Sequence, residues 1–306
     1  MKTVAWIGLG FMGNPMSKNM IKAGYTVRGY DIDPDAISRA TKNGVIAAYS
    51  VAEAVKGAEV IYTMLPTGKE VKEVLTGPNG VFANAAPGAL VIDCSTIGID
   101  TAGEIHESAD AFGARFVEAP VSGGTEGARD ATLTFMMGGK DEDIPQAAEM
   151  LKPLGEYIAH VGGPKAGQAA KVVNNLIMAV CLTVNCEATA LAERLGLDLK
   201  AMFEIIIRSS GDNWTFRTWN PAPGVVAEAP SSHEFKAGFK TWLLAKDLSL
   251  ALTAGRSVGL NISTAEAAHA LMSNHVQNGG ADMDATSLVL TMSTEAQKAT
   301  QNKAVA

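Results

Sequence analysis

Residues 3–24 read TVAWIGLGFMGNPMSKNMIKAG. Thr3 to Ile7 is a short apolar run of strand character. Gly8-Leu9-Gly10-Phe11-Met12-Gly13 follows at once, and a helical pattern then opens with Asn14 as the candidate N-cap and Pro15 at the first helical position. This is a GxGxxG turn in the context it requires, after a strand and before a helix. The first glycine permits the tight turn, the second lets backbone approach a pyrophosphate, and the third lets helix pack on strand. The helix N-terminus offers amide donors and a partial positive charge to phosphate. The spacing predicts a dinucleotide-binding βαβ unit.

Thr26 to Tyr30 reads as the second strand and Asp31 as its end. An acid about twenty residues beyond the glycines is placed to hold a ribose hydroxyl. Asp33, followed by Pro34, is the better cap for the next helix, which leaves Asp31 for the ribose. No Arg or Lys follows Asp31 immediately, so the expected cofactor is NAD rather than NADP. Further strand–helix pairs follow as far as Arg115–Ala119, the pattern of a doubly wound parallel sheet. Ligands bind beyond the carboxyl ends of such strands, so Leu65-Pro66 and Cys94-Ser95-Thr96 are candidates for the cofactor wall. After the sixth strand, Ser122-Gly123-Gly124 combines a hydroxyl with glycines that can turn backbone amides toward one point, a nest suited to a carboxylate. A plain glycine-rich connection explains that spacing equally well. Leu133–Met137 and Tyr157–Val161 read as two more strands around a helix at Ile144–Leu151, and Gly162-Gly163-Pro164 marks the expected boundary of an N-terminal α/β domain, residues 1–163.

Residues 167–196, GQAAKVVNNLIMAVCLTVNCEATALAERLG, read as one long helix with Gly196 behind it. About 28 helical residues span roughly 42 Å. Val172 to Val184 is apolar nearly all round, yet Asn174, Asn175 and Asn185 interrupt it and it is judged too short for a membrane span. Lys171 and Asn175, four apart, share one face. A lysine in such a wall must snorkel, pair, or sit in a cleft. Helices at Leu199–Arg208, Phe239–Val258, Ser263–Asn278 and Asp284–Met292 complete an all-α domain, residues 164–292, and residues 293–306 read as a flexible tail. Trp214 reads more readily as core than as a ligand contact, and Lys246 as a snorkelling lysine.

Composition agrees with a globular protein of about two domains: 306 residues, 47% hydrophobic and 19% charged. A net charge of -7 disfavours nucleic acid and anionic membranes as partners. The three cysteines follow no metal spacing, the five histidines are scattered, and no metal site is expected. The opening MKTVAWIGLG has no signal-peptide character, and the expected location is the cytoplasm.

The ordered segments GLGFMGNPM, MLP, DCST, EAPVSGGTEGA, GQAAKVVNNL and FKTWLLAKDLSLA resemble the β-hydroxyacid dehydrogenase family over nearly the whole chain, from Lys2 to about Met292. LTFMMGG and SSGDNWTFRTWNPAPGVV are most similar to the 3-hydroxyisobutyrate dehydrogenase branch. Glu118 departs from the aspartate usual at that place, with no change of function expected. The resemblance implies Lys171 as the catalytic lysine and Ser122, Gly123 and Gly124 as the holders of a substrate carboxylate. It implies that Asn175 orients the substrate, with Trp214 in a pocket-forming loop. It also implies that Lys246 lies near the nicotinamide, and that Leu65, Pro66, Glu70 and Thr96 contact NAD along with the Gly8–Gly13 turn and Asp31. It implies a small anionic hydroxyacid as substrate and a homodimer or homotetramer. Within the family, enzymes of succinic, tartronate or sulfolactate-type semialdehydes and of serine remain alternatives. A noncatalytic NAD-binding sensor is the alternative of another class.

Overall fold

The structure, a computed structural model, describes residues 2–294, 296–298 and 300. It divides into two compact units, Met1–Lys171 and Val172–Ala306. The division falls inside the long helix rather than at Gly163, because the first turns of that helix are tied into the first unit.

In the first unit, β1 (Thr3–Ile7), α1 (Gly13–Lys22), β2 (Thr26–Tyr30), α2 (Pro34–Lys42), β3 (Ile46–Ala47), α3 (Val51–Val55), β4 (Val60–Thr63), α4 (Gly68–Thr76), α5 (Val81–Asn84), β5 (Leu90–Asp93), α6 (Ile99–Phe112) and β6 (Arg115–Glu118) alternate as the pattern predicts. Then come β7 (Val121–Ser122), α7 (Gly124–Asp130), β8 (Leu133–Gly139), α8 (Ile144–Leu151) and β9 (Gly155–Gly162). The strands run in the order β3-β2-β1-β4-β5-β6-β8-β7, with β9 on β8. Pairing is parallel from β3 to β6, so the topological switch lies between β1 and β4. The parallel sheet carries an antiparallel addition at one edge. There β8 runs antiparallel to β6 and β7, because the chain returns through the short α7 instead of a full crossover.

Alternation along the strands feeds two cores. Val4, Trp6, Tyr62, Leu90 and Ile92 face one layer; Ala5, Ile7, Ile61, Val91 and Phe116 face the other. Burial on both faces is why these strands are apolar throughout. Asp33 caps α2 through the Asp35 amide, as expected. Asn14 is not the cap of α1. The helix begins two residues earlier than Pro15, at Gly13, and Asn14 instead accepts a hydrogen bond from Asn43. Gly13 packs so closely under Gly8 that the helix has to start there.

Helix α9 (Ala166–Arg194) runs through the division between the units. Its 29 residues, with a mean hydropathy of 1.5 over its most apolar window, are long and apolar enough to cross a membrane, contrary to the expectation that it is too short. Half of that window is buried within the protein.

The second unit continues with α10 (Leu199–Ile206), α11 (Trp214–Arg217), α12 (Thr241–Ser257) and α13 (Ser263–His275). Among its described residues there is no strand, only a single bridge between Lys240 and Asp284. α13 stops at His275 and passes into a π turn, Val276–Gly280, where Asn278 and Gly279 leave helical geometry. The expected last helix is a 3-10 helix, Ala285–Thr291, capped by Asp284. Of the expected tail, Ser293 and Ala296 are fully buried and Ser293 bonds to Glu193. Residues 295, 299 and 301–306 lie outside the described residues.

Candidate active site

The glycine turn after β1 is built by crowding. A Cβ on Gly13 would stand 1.9 Å from the Gly8 carbonyl oxygen, and one on Gly8, at φ +93°, 2.3 Å from that of Met64. Only glycine lets the turn close onto the end of β4. Trp6 Nε1 donates to Gly8 O at 3.0 Å and fixes the turn from below. Gly10 is different: a Cβ there would meet no atom within 4 Å. Beside it, among the described residues, the Phe11 and Met12 amides have no protein partner. An open second glycine next to unpartnered amides at a helix N-terminus fits the pyrophosphate of a dinucleotide. Leu9 contributes backbone only, since its side chain is in the core, whereas Phe11 is exposed.

Asp31 lies beyond β2. Its Oδ2 accepts from the Leu9 amide at 2.6 Å and its Oδ1 from the Asp33 amide at 2.8 Å. Each oxygen keeps a second lone pair for a hydroxyl. The nearby cations are engaged elsewhere. Arg39 pairs with Asp33, and Arg28 bonds the carbonyls of Glu53 and Lys56.

Beyond β4, the Leu65 amide donates to Ser95 Oγ at 2.9 Å. Pro66 follows, and Thr67 caps α4 and bonds to Glu70, so Glu70 faces its own helix start. Ser95 Oγ in turn donates to Asp93 Oδ1 at 2.6 Å, as does Thr63 Oγ1. Burial pushes the Asp93 carboxyl up to about 6, against the hydrogen bonds of Ser95 and Thr63, and the Glu118 charge adds to the rise. Thr96 is half-buried next in the chain. Ser122, which ends β7, is half-buried, while Gly123 (φ +131°) and Gly124 (φ +63°) beyond it are exposed.

Lys171 is buried, 7% exposed, at the second turn of α9. It therefore does not snorkel. The sequence reading missed what holds it there. Gln168 is anchored to Ser95 and Ile97, and Glu118 accepts from the first amides of α9. A buried glutamine one turn before a buried lysine was a usable signal.

In the second unit, Asn175 is buried. Its Nδ2 donates to Asp247 Oδ2 at 2.7 Å, and its Oδ1 accepts from Asn174 at 3.0 Å. Lys246 pairs with the other oxygen of Asp247 at 3.1 Å. Asp247, 3% exposed, is a second residue the sequence reading passed over, although an acid in an apolar helix calls for partners. Trp214 is not core. It is 57% exposed at the start of α11 and tilted against Trp219.

Comparison with known proteins places this geometry. Residues 3–162 match the family described as the NAD binding domain of 6-phosphogluconate dehydrogenase. Residues 165–292 match the one described as NAD-binding of NADP-dependent 3-hydroxyisobutyrate dehydrogenase. The NAD-dependent L-serine dehydrogenase of Pseudomonas aeruginosa is 41% identical over 284 residues, covering 93% of this chain and 95% of that one. A probable 3-hydroxyisobutyrate dehydrogenase of Mycobacterium bovis is 45% identical over 259 residues, covering 85% and 87%. The solved structure of Mycobacterium tuberculosis 3-hydroxyisobutyrate dehydrogenase with L-serine aligns with a TM-score of 0.87 at 42% identity, covering 95% of this chain and 99% of that one. With both halves matched in order and the phosphate turn intact, the chain belongs to the β-hydroxyacid dehydrogenase family, on its 3-hydroxyisobutyrate dehydrogenase branch, and is an NAD-dependent dehydrogenase.

Proposed function

We propose that the protein oxidises a small 3-hydroxyacid to its semialdehyde, 3-hydroxyisobutyrate to methylmalonate semialdehyde being the first choice, with Lys171 as general base. One observation carries this reading: a buried lysine on a helix whose first turn is anchored to the carboxyl ends of β5 and β6, at the end of the sheet that also bears the phosphate turn. That edge is where ligands of open α/β sheets bind.

Gly10 and the amides of Phe11 and Met12 receive the pyrophosphate, and Asp31 the adenosine ribose, with Leu65, Pro66, Thr96 and Glu70 along the cofactor wall. Asp31 disfavours a 2′-phosphate, which supports NAD over NADP. NAD held by these residues would supply the acceptor for the hydride lost from the substrate carbinol carbon. Ser122, Gly123 and Gly124 hold the substrate carboxylate and so select the carbon oxidised. The Lys171 amine takes the C3 hydroxyl proton as the carbonyl forms. Such proton transfer contributes about 10²–10⁴ in rate. Within the second unit, Asp247 holds both Asn175 and Lys246.

L-serine is the second reading, favoured by the name of the 41% identical relative. The test is NADH formation with 3-hydroxyisobutyrate, L-serine, glycerate and 4-hydroxybutyrate. Highest kcat/KM for 3-hydroxyisobutyrate supports the first reading, and highest for L-serine the second. Tight NAD binding without turnover of any of them contradicts both and favours a sensor. Repeating the assay with NADP tests Asp31: a preference for NADP contradicts its role.

For the assembly, a homodimer or homotetramer is supported by exposed Val173, Ile177, Val184 and Leu191 along α9, an apolar stripe at helical spacing. Light scattering reads it directly, and a monomer contradicts it. Three free cysteines suit the reducing cytoplasm as the location.

A further inference from the structure

The first turn of α9 is gripped by side chains outside the proposed chemistry. Gln168, fully buried, donates through Nε2 to the Ser95 carbonyl at 2.8 Å and accepts at Oε1 from the Ile97 amide at 3.0 Å. Both partners lie just past β5. Glu118, the last residue of β6 and also fully buried, accepts at Oε1 from the amides of Gly167 (2.8 Å) and Gln168 (3.3 Å). Its other oxygen faces His106 Nε2 of α6 at 3.3 Å. Backbone closes the remaining side: a Cβ on Gly167 would stand 2.4 Å from the Met136 carbonyl oxygen of β8. The start of α9 therefore has one position available to it.

We infer that Gln168 is a positioning residue that sets the place of the Lys171 amine through the first turn of α9, with Glu118 fixing the same turn at its backbone. The inference rests on the proposed role of Lys171. Lys171 follows Gln168 by three positions, so the two lie on neighbouring places of one helix face, and whatever moves the first carries the second. Ser95, which Gln168 grips by its carbonyl, holds the Leu65 amide by its hydroxyl at 2.9 Å. One short segment thus registers the lysine against the cofactor wall. A general cap would satisfy the helix amides without this reach across to β5.

The test replaces Gln168 by methionine, of similar length without hydrogen-bonding atoms, and measures kcat, KM for NAD and melting temperature with whichever of 3-hydroxyisobutyrate or L-serine turns over faster. Since a displacement of about 1 Å costs on the order of 10²-fold, Gln168→Met is expected to lower kcat by at least about tenfold. KM for NAD should stay within about twofold, because the glycine turn is untouched. A kcat within about twofold of wild type overturns the inference. Should Gln168→Met not fold, Glu118→Gln and Glu118→Ala decide. The glutamine still accepts from both amides and keeps kcat within about threefold, while the alanine lowers it at least about tenfold; equal kcat values overturn the inference. Lys171→Ala runs in parallel. If it is inactive while Gln168→Met is unimpaired, only the positioning role fails; if it stays active, both fail.

Discussion

Two glycine turns flank the sheet edge, and they need glycine for different reasons. After β1, Gly8 and Gly13 are demanded by crowding, since a Cβ on either would run into a backbone carbonyl oxygen, and Gly8 by its φ of +93° as well. After β7, Gly123 and Gly124 are demanded by backbone angle. Around Gly124 there is open space, and around Gly123 the nearest atom is a Leu133 methyl at 3.1 Å, yet both have positive φ. The first turn is a piece of packing with one open place, Gly10. The second is a conformation with little packed against it. A glycine of the first kind carries the fold, and one of the second kind, or Gly10, leaves backbone open to a ligand.

The sharpest break of this contrast is Gly13→Ala. An added Cβ 1.9 Å from the Gly8 oxygen cannot be relieved by a rotamer, and the cost is expected to reach about 3 kcal/mol or more. Thermal unfolding should show a large loss of stability or no folded protein at all; wild-type stability would remove the packing half of the comparison.

Next comes the buried acid that ends β5, a strand lying between β1 and β7 in the sheet. Burial raises Asp93 from 3.8 to about 6. A raised carboxyl pKa means that the folded state binds the proton more tightly than the unfolded chain. The stability this adds is complete below about 3.8 and is lost as pH rises through about 6. The difference is worth on the order of 3 kcal/mol. Asp93→Asn should flatten that fall in the melting temperature between about pH 4 and pH 6, and an unchanged pH profile counts against it.

Gly124→Ala follows. Its φ of +63° is a left-handed conformation that costs a side chain about 1–2 kcal/mol. KM for the hydroxyacid should rise while KM for NAD stays level. Equal effects on both would mean that the nest does not hold the carboxylate.

The mildest change to the fold is Gly10→Ala. With no atom in its way and no left-handed φ, it should leave stability unchanged or raise it by about 0.4–1 kcal/mol. KM for NAD should increase by about tenfold, or 1.4 kcal/mol. Lost stability instead would make Gly10 a packing glycine like its neighbours.

The contrast also explains what could be read in the sequence. The strand, glycine turn, helix and Asp31 are local in the chain, and their spacing is set by steric rules that leave a pattern. The antiparallel reversal at β7 and β8 leaves none, because a two-residue strand carries no periodicity. Asp33 was legible as a cap through the proline behind it, whereas Asn14 misled because the close approach of Gly13 to Gly8, invisible in spacing, moves the helix start. At the candidate site, Lys171 stood out as a charge within an apolar helix. Gln168 and Asp247 did not, since their partners are 71 to 73 and 72 residues away in the chain. The exposure of Trp214 likewise depends on tertiary packing that a turn-rich loop does not announce.

The central claim is that Lys171 takes the hydroxyl proton. Steady-state turnover of Lys171→Ala, with NAD binding measured alongside, tests it most directly. The account predicts that kcat falls by about 10²–10⁴ while NAD still binds with wild-type affinity. A kcat within about tenfold of wild type would contradict it.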